Sequence, residues 1–446
     1  MASLLPLLLL ALRAHAYTSR HVTFASDDIE KRTALPVAQH VLSLSRTVPR
    51  PASKAKALRH LTNRPEAKNS TVVSVSGSDQ DEEYLVDITF GTQTFPVIVD
   101  TGSSDTWLVA KGFQCISSSG DDEPESECDF GSSGYDPNVS STFVAYPGHN
   151  FNIAYGDGEF LTGDVGFETV TIGDLSVTSQ EVGVVTTAFW FGDSVSSGLM
   201  GLCYPGLTSV FNTTDPDDDS SSNNEEYDPF FFTAIKEGAV SQPVFSVALN
   251  RGSVAAEEGS VVDPDLGFLA FGGIAPVDVT ATSVTVPIQG EQVSSTDSEF
   301  FFYTVDIDAY VFPGSDALST SGQSILDTGT TLLYLPTPIA NALAAAFDPP
   351  AVWSDDEGAY LVNCTATAPE FAVVIGGVSF NVTAADLILP IGADEDGNQV
   401  CISGHDDGGP DEDGNIFILG DTFLHNVVST FDLANNTVTL TERAPY

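Results

Sequence analysis

Two short stretches of the chain have a composition suited to acid–base chemistry. Val97-Ile98-Val99-Asp100-Thr101-Gly102-Ser103-Ser104 and Ser324-Ile325-Leu326-Asp327-Thr328-Gly329-Thr330-Thr331 each read as an apolar strand ending in Asp-Thr-Gly and a hydroxyl residue. Glycine at the break lets main-chain N–H groups approach the carboxylate, and Ser103 or Thr330 can bond its outer oxygen. Thr101 and Thr328 are placed to anchor each loop to the opposite half of the molecule. Two carboxyls brought about 3 Å apart would repel by roughly 5 kcal/mol at an effective dielectric of 20, about four pKa units. Such a pair shares one proton over a wide acidic range. One member then acts as base on a water held between them, while its protonated partner donates to a substrate carbonyl. The implied reaction is hydrolysis by an activated water, without a covalent intermediate, and it calls for neither metal nor cofactor.

Each stretch is followed downstream by an apolar-apolar-Gly element, Leu199-Met200-Gly201 and Ile418-Leu419-Gly420. The chain therefore reads as internally duplicated, with one Asp in each half. Taken singly, Asp100 or Asp327 would pass for an ordinary turn residue; the duplicated context decides against that.

The elements that must position these turns are mostly strands. Tyr84 to Phe90, Phe95 to Val99, Val165 to Ile172, Val244 to Leu249 and Phe300 to Asp306 are short runs rich in Val, Ile, Thr and Phe, punctuated by Gly, Asp and Ser. This pattern predicts a mostly antiparallel β protein. Two helices are expected: one capped by Asp228 with Pro229 at its first position and Gly238 past its end, and one over Pro338 to Phe347 with Ile339, Leu343 and Phe347 on its apolar side. Acidic, Ser- and Gly-rich stretches at Ser117 to Glu127, Asp215 to Asp228 and Asp406 to Asn415 read as exposed, solvated loops. Asp411-x-Asp413-Gly414-Asn415 resembles part of a calcium loop but lacks the other ligands and the terminal Glu.

The 446 residues carry 62 acidic and 15 basic side chains, a net charge of -47. This field disfavours binding to nucleic acid or anionic membrane, and the length calls for two lobes. The charge is unevenly arranged. The first 68 residues hold 11 basic and four acidic side chains, a balance of +7, whereas the remaining 378 hold four basic and 58 acidic, -54. Leu4 to Leu12, broken only by Pro6 and followed by Ala14-His15-Ala16, reads as a secretory signal peptide over 1–16. As a helix that run spans about 14 Å, roughly half a bilayer core, so no membrane anchor is expected. The polar end, Thr439 to Tyr446, gives no lipid-anchor signal.

Sequons begin at Asn69, Asn138, Asn212, Asn363, Asn381 and Asn435, fitting passage through the secretory pathway. Of the five cysteines, Cys115 with Cys128 and Cys364 with Cys401 form local pairs suited to an oxidising compartment, leaving Cys203 as a buried, unreactive thiol.

From about residue 79 onward the chain resembles the pepsin family of aspartic endopeptidases (family A1), in the variants of secreted fungal enzymes. Besides the two Asp-Thr-Gly motifs, Tyr155-Gly156-Asp157-Gly158 is similar to the family's flap, and Trp107 matches the tryptophan that supports the flap tyrosine. Asp327 to Pro336, Gln242 to Ser246 and Phe431 to Asn436 are further close matches. The resemblance implies a bilobal, mostly β fold with pseudo-twofold related lobes over 77–245 and 246–446, Ile98 and Thr331 among the substrate-binding residues, a monomer, and sensitivity to pepstatin-type inhibitors. It also implies the split titration that characterises this protease class, and cleavage between bulky hydrophobic residues. Asp157 would place a charge near the primary pocket that helps accept Lys. Glu159, where a small hydroxyl residue is usual, and the acidic insertion Asp215 to Glu226 depart from the pattern.

The resemblance further makes residues 17–76 a propeptide covering the cleft. A +7 leader on a -54 body loosens as carboxylates protonate below about pH 4, which predicts acid activation. Lys54, Lys56 and Lys68 are candidates to meet the paired aspartates, and Lys31-Arg32 is a candidate processing site. The expected destination is extracellular, with a vacuole as the other option. The competing reading is an inactive pepsin-fold binding or inhibitor protein. That reading expects a lost Asp, flap residue or hydroxyl, and all are present. No Ser elbow, His-Glu-x-x-His or Cys/His signature offers another enzyme.

Overall fold

A strand that must be buried on both faces needs an unbroken apolar run, and one that faces water on one side needs alternation. Both kinds occur in the computed structural model of the protein, which describes residues 35–46, 83–156, 158–252, 266–293, 298–312, 322–354, 358–393, 397–410 and 417–446. The signal peptide, most of the basic leader with Asn69 and its candidate lysines, Lys31-Arg32, Asp157 and the calcium-like segment lie outside the described residues.

Three of the six sheets among the described residues position the site. An 11-stranded sheet serves the first half. Its central part runs through the strands Asn150–Ala154, Phe160–Ile172, Leu175–Phe189, Thr106–Ile116, Gly198–Gly201, Gln93–Asp100 and Tyr84–Phe90, in that spatial order. A 5-stranded sheet in the second half orders Thr304–Asp306, Gln323–Leu326, Phe417–Leu419, Leu333–Leu335 and His405–Asp407. Between them a 6-stranded sheet draws on both ends of the chain: His40–Ser43, Gly267–Phe271, Val244–Leu249, Val427–Asp432, Thr437–Arg443 and Val279–Pro287. Every residue of Val244–Leu249 is buried. The edge strand Val279–Pro287 alternates exposed and half-buried positions, and Thr285 and Thr439 bond across it at 2.8 Å.

The main core crosses the boundary between the halves. Val99 and Met200 from one side and Leu326 and Leu333 from the other join Phe245, Tyr303 and Phe431. Phe431 stacks on Phe245 with centroids 4.7 Å apart. Each such side chain contributes about 1.5–3 kcal/mol by leaving water, so the halves are held by the same packing that holds each one. A second cluster under the Asn150–Ala154 hairpin contains Trp107, Phe151, Leu161, Val185 and Leu199.

Cys115–Cys128 and Cys364–Cys401 are disulfide-bonded, and Cys203 is free and buried. Asn138, Asn212, Asn363, Asn381 and Asn435 are all exposed. Among the described residues no helix is long and apolar enough to cross a membrane.

Some expectations need correction. The first helix spans Phe230–Lys236 with Pro229 at the N-cap and no side-chain cap. The Asp228 carboxylate is instead drawn to Lys236 at 2.5 Å. The second helix, Thr337–Ala346, buries Ile339 and Leu343, and Phe347 closes it. Only Thr304–Asp306 of the expected Phe300–Asp306 strand is extended in a ladder. Asp406 is not in an exposed loop: it is buried on the strand His405–Asp407, where burial raises its carboxyl to about 7.

Candidate active site

The two halves build the same local unit. Gly198–Gly201 runs parallel to Gln93–Asp100, with Gly201 opposite Asp100, and antiparallel to Thr106–Ile116. In the second half Phe417–Leu419 runs parallel to Gln323–Leu326 and antiparallel to Leu333–Leu335. The apolar-apolar-Gly elements thus each lie between the strand that delivers an Asp and the strand that leaves its turn. Glycine is required by close approach: a Cβ on Gly201 would sit 2.5 Å from Ser104 backbone atoms, and one on Gly420 would sit 2.1 Å from Thr330 O.

Each carboxylate is held from its own turn. Gly102 N donates to Asp100 Oδ1 at 2.6 Å, and the Ser103 hydroxyl donates to Asp100 Oδ2. Gly329 N donates to Asp327 Oδ1 at 2.8 Å, and Thr330 Oγ1 to Asp327 Oδ2 at 2.7 Å. The turns are then locked to each other. Thr101 N donates to Thr328 Oγ1 at 3.1 Å and Thr328 N to Thr101 Oγ1 at 3.0 Å. The same hydroxyls donate across the boundary, Thr101 to Leu326 O at 2.9 Å and Thr328 to Val99 O at 2.8 Å. These four bonds are buried, where an unmade partner costs about 1–3 kcal/mol.

The result is a converging pair. A Cβ on Gly102 would lie 2.4 Å from Asp327 Oδ1, and one on Gly329 2.5 Å from Asp100 Oδ1. Both carboxyls are buried. Burial first, and the charge of Asp100 second, push the Asp327 carboxyl well above the ordinary carboxylate range, against the lowering bonds from Thr330 and Gly329. A proton retained by such a pair is what an acid–base hydrolysis needs.

Tyr155 reaches the site from the hairpin formed by Asn150–Ala154 and Phe160–Ile172. Its turn is closed by Tyr155 N to Glu159 O at 2.8 Å and Gly158 N to Tyr155 O at 3.1 Å, with Gly158 at φ +98°, a backbone conformation that glycine adopts readily. Trp107 Nε1 donates to the Tyr155 hydroxyl at 2.8 Å. Burial, then the Asp100 charge, raises the Tyr155 phenol well above its usual value, so it stays protonated. Gly156 is exposed at the tip. Ile98, on the same strand face as Asp100, packs with Trp107 and Leu199, and buried Thr331 accepts Thr422 N at 3.0 Å.

Other side chains around the hairpin belong to no motif in the sequence. Trp190 packs edge-on against Trp107 at 5.2 Å and Tyr155 at 5.8 Å, and stacks on Phe130 at 5.9 Å. The aromatic triplet Phe189-Trp190-Phe191 was the available signal. Glu159 is buried, and its carboxylate accepts Phe191 N at 2.5 Å, so this departure from the usual residue joins the hairpin to that triplet.

Comparison with known proteins agrees with this geometry. The eukaryotic aspartyl protease family pattern matches residues 83–443. A probable aspartic-type endopeptidase of Aspergillus fumigatus is 42% identical over 353 residues, 78% of this chain and 76% of that one. Rhizopuspepsin-4 of Rhizopus niveus is 30% identical over 369 residues, 82% of this chain and 78% of that one. In fold the chain is similar to the crystal structure of the aspartic proteinase from Irpex lacteus, with a TM-score of 0.64 at 20% identity, covering 91% of this chain and 97% of that one. The chain belongs to the pepsin-like family of eukaryotic aspartyl proteases, aspartic-type endopeptidases that act on peptide substrates.

Proposed function

We propose that the protein is a secreted, acid-acting endopeptidase in which Asp100 and Asp327 activate the hydrolytic water, and that it is made as an acid-activated zymogen. The observation that carries the reading is the reciprocal Thr101–Thr328 lock beneath two converging carboxyls. The pair shares one proton. The ionised member takes a proton from water as the water oxygen bonds the scissile carbonyl carbon, and the protonated member gives its proton to the carbonyl oxygen. The resulting gem-diol collapses as the first member passes the proton it took from water to the amide nitrogen, the C–N bond breaks, and a gem-diol hydroxyl gives its proton to the second member, so the pair again holds one proton. Ser103 and Thr330 steady the outer oxygens. Tyr155, seated on Trp107, closes over the substrate with Gly156 to Gly158. Ile98, Thr331 and an aromatic wall of Trp107, Trp190 and Phe130 favour bulky hydrophobic side chains at the cleaved bond, and Asp157 extends acceptance to Lys.

The leader reading is supported by its described part. His40–Ser43 forms the edge of the 6-stranded sheet, antiparallel to Gly267–Phe271. Leu44 is fully buried, and Ser45–Arg46 pairs with the strand Tyr84–Phe90. The four basic residues of the body are already engaged: Lys111 with Asp136, Lys236 with Asp228, Arg251 with Asp386, and Arg443 with Leu249 O and Asn250. A cationic leader therefore meets a surface of carboxylates, and acid weakens that attraction. The exposed sequons and two disulfides fit secretion, whether to the exterior or to a vacuole.

Hydrolysis of a denatured protein by the purified zymogen at about pH 3–5, with and without pepstatin, tests the reading. Pepstatin should abolish cleavage, and Asp100→Asn should lower kcat at least about a thousandfold. Cleavage that survives either change overturns it.

A further inference from the structure

The acidic insertion Asp215 to Glu226 is not a free loop; it is fastened to the outer edge of the flap hairpin. The short strand Val210–Phe211 pairs with Asn150–Ala154. Beyond it the chain folds back, with Asn212 N on Asn223 O and Glu225 N on Val210 O, both at 2.8 Å. One carboxylate then grips two alternate residues of the flap strand: Asn150 Nδ2 donates to Asp219 Oδ1 at 2.9 Å and Asn152 Nδ2 to Asp219 Oδ2 at 2.8 Å. A second grip lies where the chain enters the hairpin. Glu225 accepts the Tyr146 hydroxyl at 3.0 Å and lies 3.0 Å from His149 Nε2, whose ring stacks on Tyr146 at 3.8 Å. Immediately after the insertion, the Tyr227 hydroxyl donates at 2.7 Å to Asp105, five residues beyond Asp100.

We infer that the acidic insertion is a strap that positions the flap, with Asp219 as its positioning residue: it holds the strand leading to Tyr155 in a fixed relation to the loop that carries Asp100. The inference rests on the reading of Tyr155 as the substrate-covering residue. Asn150 and Asn152 project from the same face of the hairpin because strand residues two apart share a face, so a bidentate carboxylate resists twist as well as displacement. Charge-assisted bonds of this kind are the stronger ones. A flap released at this edge would still fold over the site, but over a broader range of positions, and binding would suffer more than the chemical step.

Asp219→Ala in the full-length protein tests this, with amide exchange read before cleavage and kinetics read after activation in acid. Amide exchange over Asn150–Ala154 should quicken about tenfold, and KM for a peptide substrate should rise about fivefold with kcat within about twofold. Asp219→Asn, which keeps one acceptor oxygen, should fall between the two. Unchanged exchange and KM in folded Asp219→Ala overturns the strap, as does a fall in kcat with KM unaltered. Should that variant fail to fold, Asn152→Ala removes one of the same bonds and must show the same direction of change. Because exchange is read on the uncleaved protein, it tests the strap even if the assignment of Asp100 and Asp327 fails.

Discussion

The two halves carry one device in two settings. Around the aspartates they agree closely: a strand leads into Asp-Thr-Gly, a second strand that leads into glycine lies beside it, and a hydroxyl caps the outer oxygen. Away from the aspartates they diverge. The first half continues its sheet through Leu175–Phe189 and Phe160–Ile172 into the hairpin that carries Tyr155, and it adds the aromatic wall and the strap. The second half closes its 5-stranded sheet with His405–Asp407 and buries Tyr334. Symmetry supplies the converging acids; the asymmetric part of the first half supplies the hairpin that carries Tyr155.

The largest way to separate the halves is pH. Burial raises Asp105 to about 6 and Glu181 to about 8 in the first half, and Asp406 to about 7 in the second. Each binds its proton more tightly in the folded chain, so its contribution is full below the unfolded value near 4 and is lost as pH rises through 6 to 8. His405, lowered to about 4 by burial, works the other way, losing stability as pH falls from about 6.5 to 4. At about 1.4 kcal/mol per unit Asp105 alone accounts for about 3 kcal/mol, and the three carboxyls together outweigh the histidine. Asp386 opposes this only in strong acid: burial would raise it, but His425 and Arg251 hold it well below the ordinary range. The urea midpoint should therefore fall from pH 4 to pH 8, with amide exchange quickening in the first half before the second. Equal midpoints, or the reverse order of exchange, would refute this.

Next in size is the lock. Thr101→Val and Thr328→Val each strip a buried hydroxyl from two bonds, and each should cost about 3 kcal/mol and lower kcat at least about a hundredfold by misplacing both acids. The symmetric reading requires the two costs to match. A Thr328→Val variant that is nearly wild type in a thermal melt while Thr101→Val is crippled would show that one half dominates the brace.

The smallest effect belongs to the first half alone. Trp107→Phe keeps an aromatic ring, though a smaller one, but removes the donor to Tyr155, and kcat/KM should drop about tenfold, the worth of one buried hydrogen bond of about 1.4 kcal/mol. Steady-state kinetics that show no change would mean that packing by Trp190 and Phe130 is enough to seat the tyrosine.

How much of this is readable from the residues depends on range. Tyr84–Phe90 and Val244–Leu249 fall where their apolar patterns place them, because strand periodicity is local. The Asp-Thr-Gly turns are legible because the repeat announces them. Trp190 over Trp107 and Asp219 beneath Asn150 and Asn152 are not, since nothing local links residues that far apart in the chain. Acidic runs mislead for a related reason: composition makes Asp406 look solvated, whereas its ladder with Tyr334 places it inside. The order of the 11-stranded sheet was equally hidden, because the parallel partner of Gln93–Asp100 arrives about a hundred residues later.

The one free thiol gives the molecule a built-in gauge. Cys203 Sγ lies 3.2 Å from Thr101 O, directly under the first turn, while the other four cysteines are paired. Burial raises its pKa well above the usual thiol value, so it reacts only when the floor of the site opens. The labelling rate of this single sulfur therefore counts openings beneath the aspartates, in the intact chain and without a substrate.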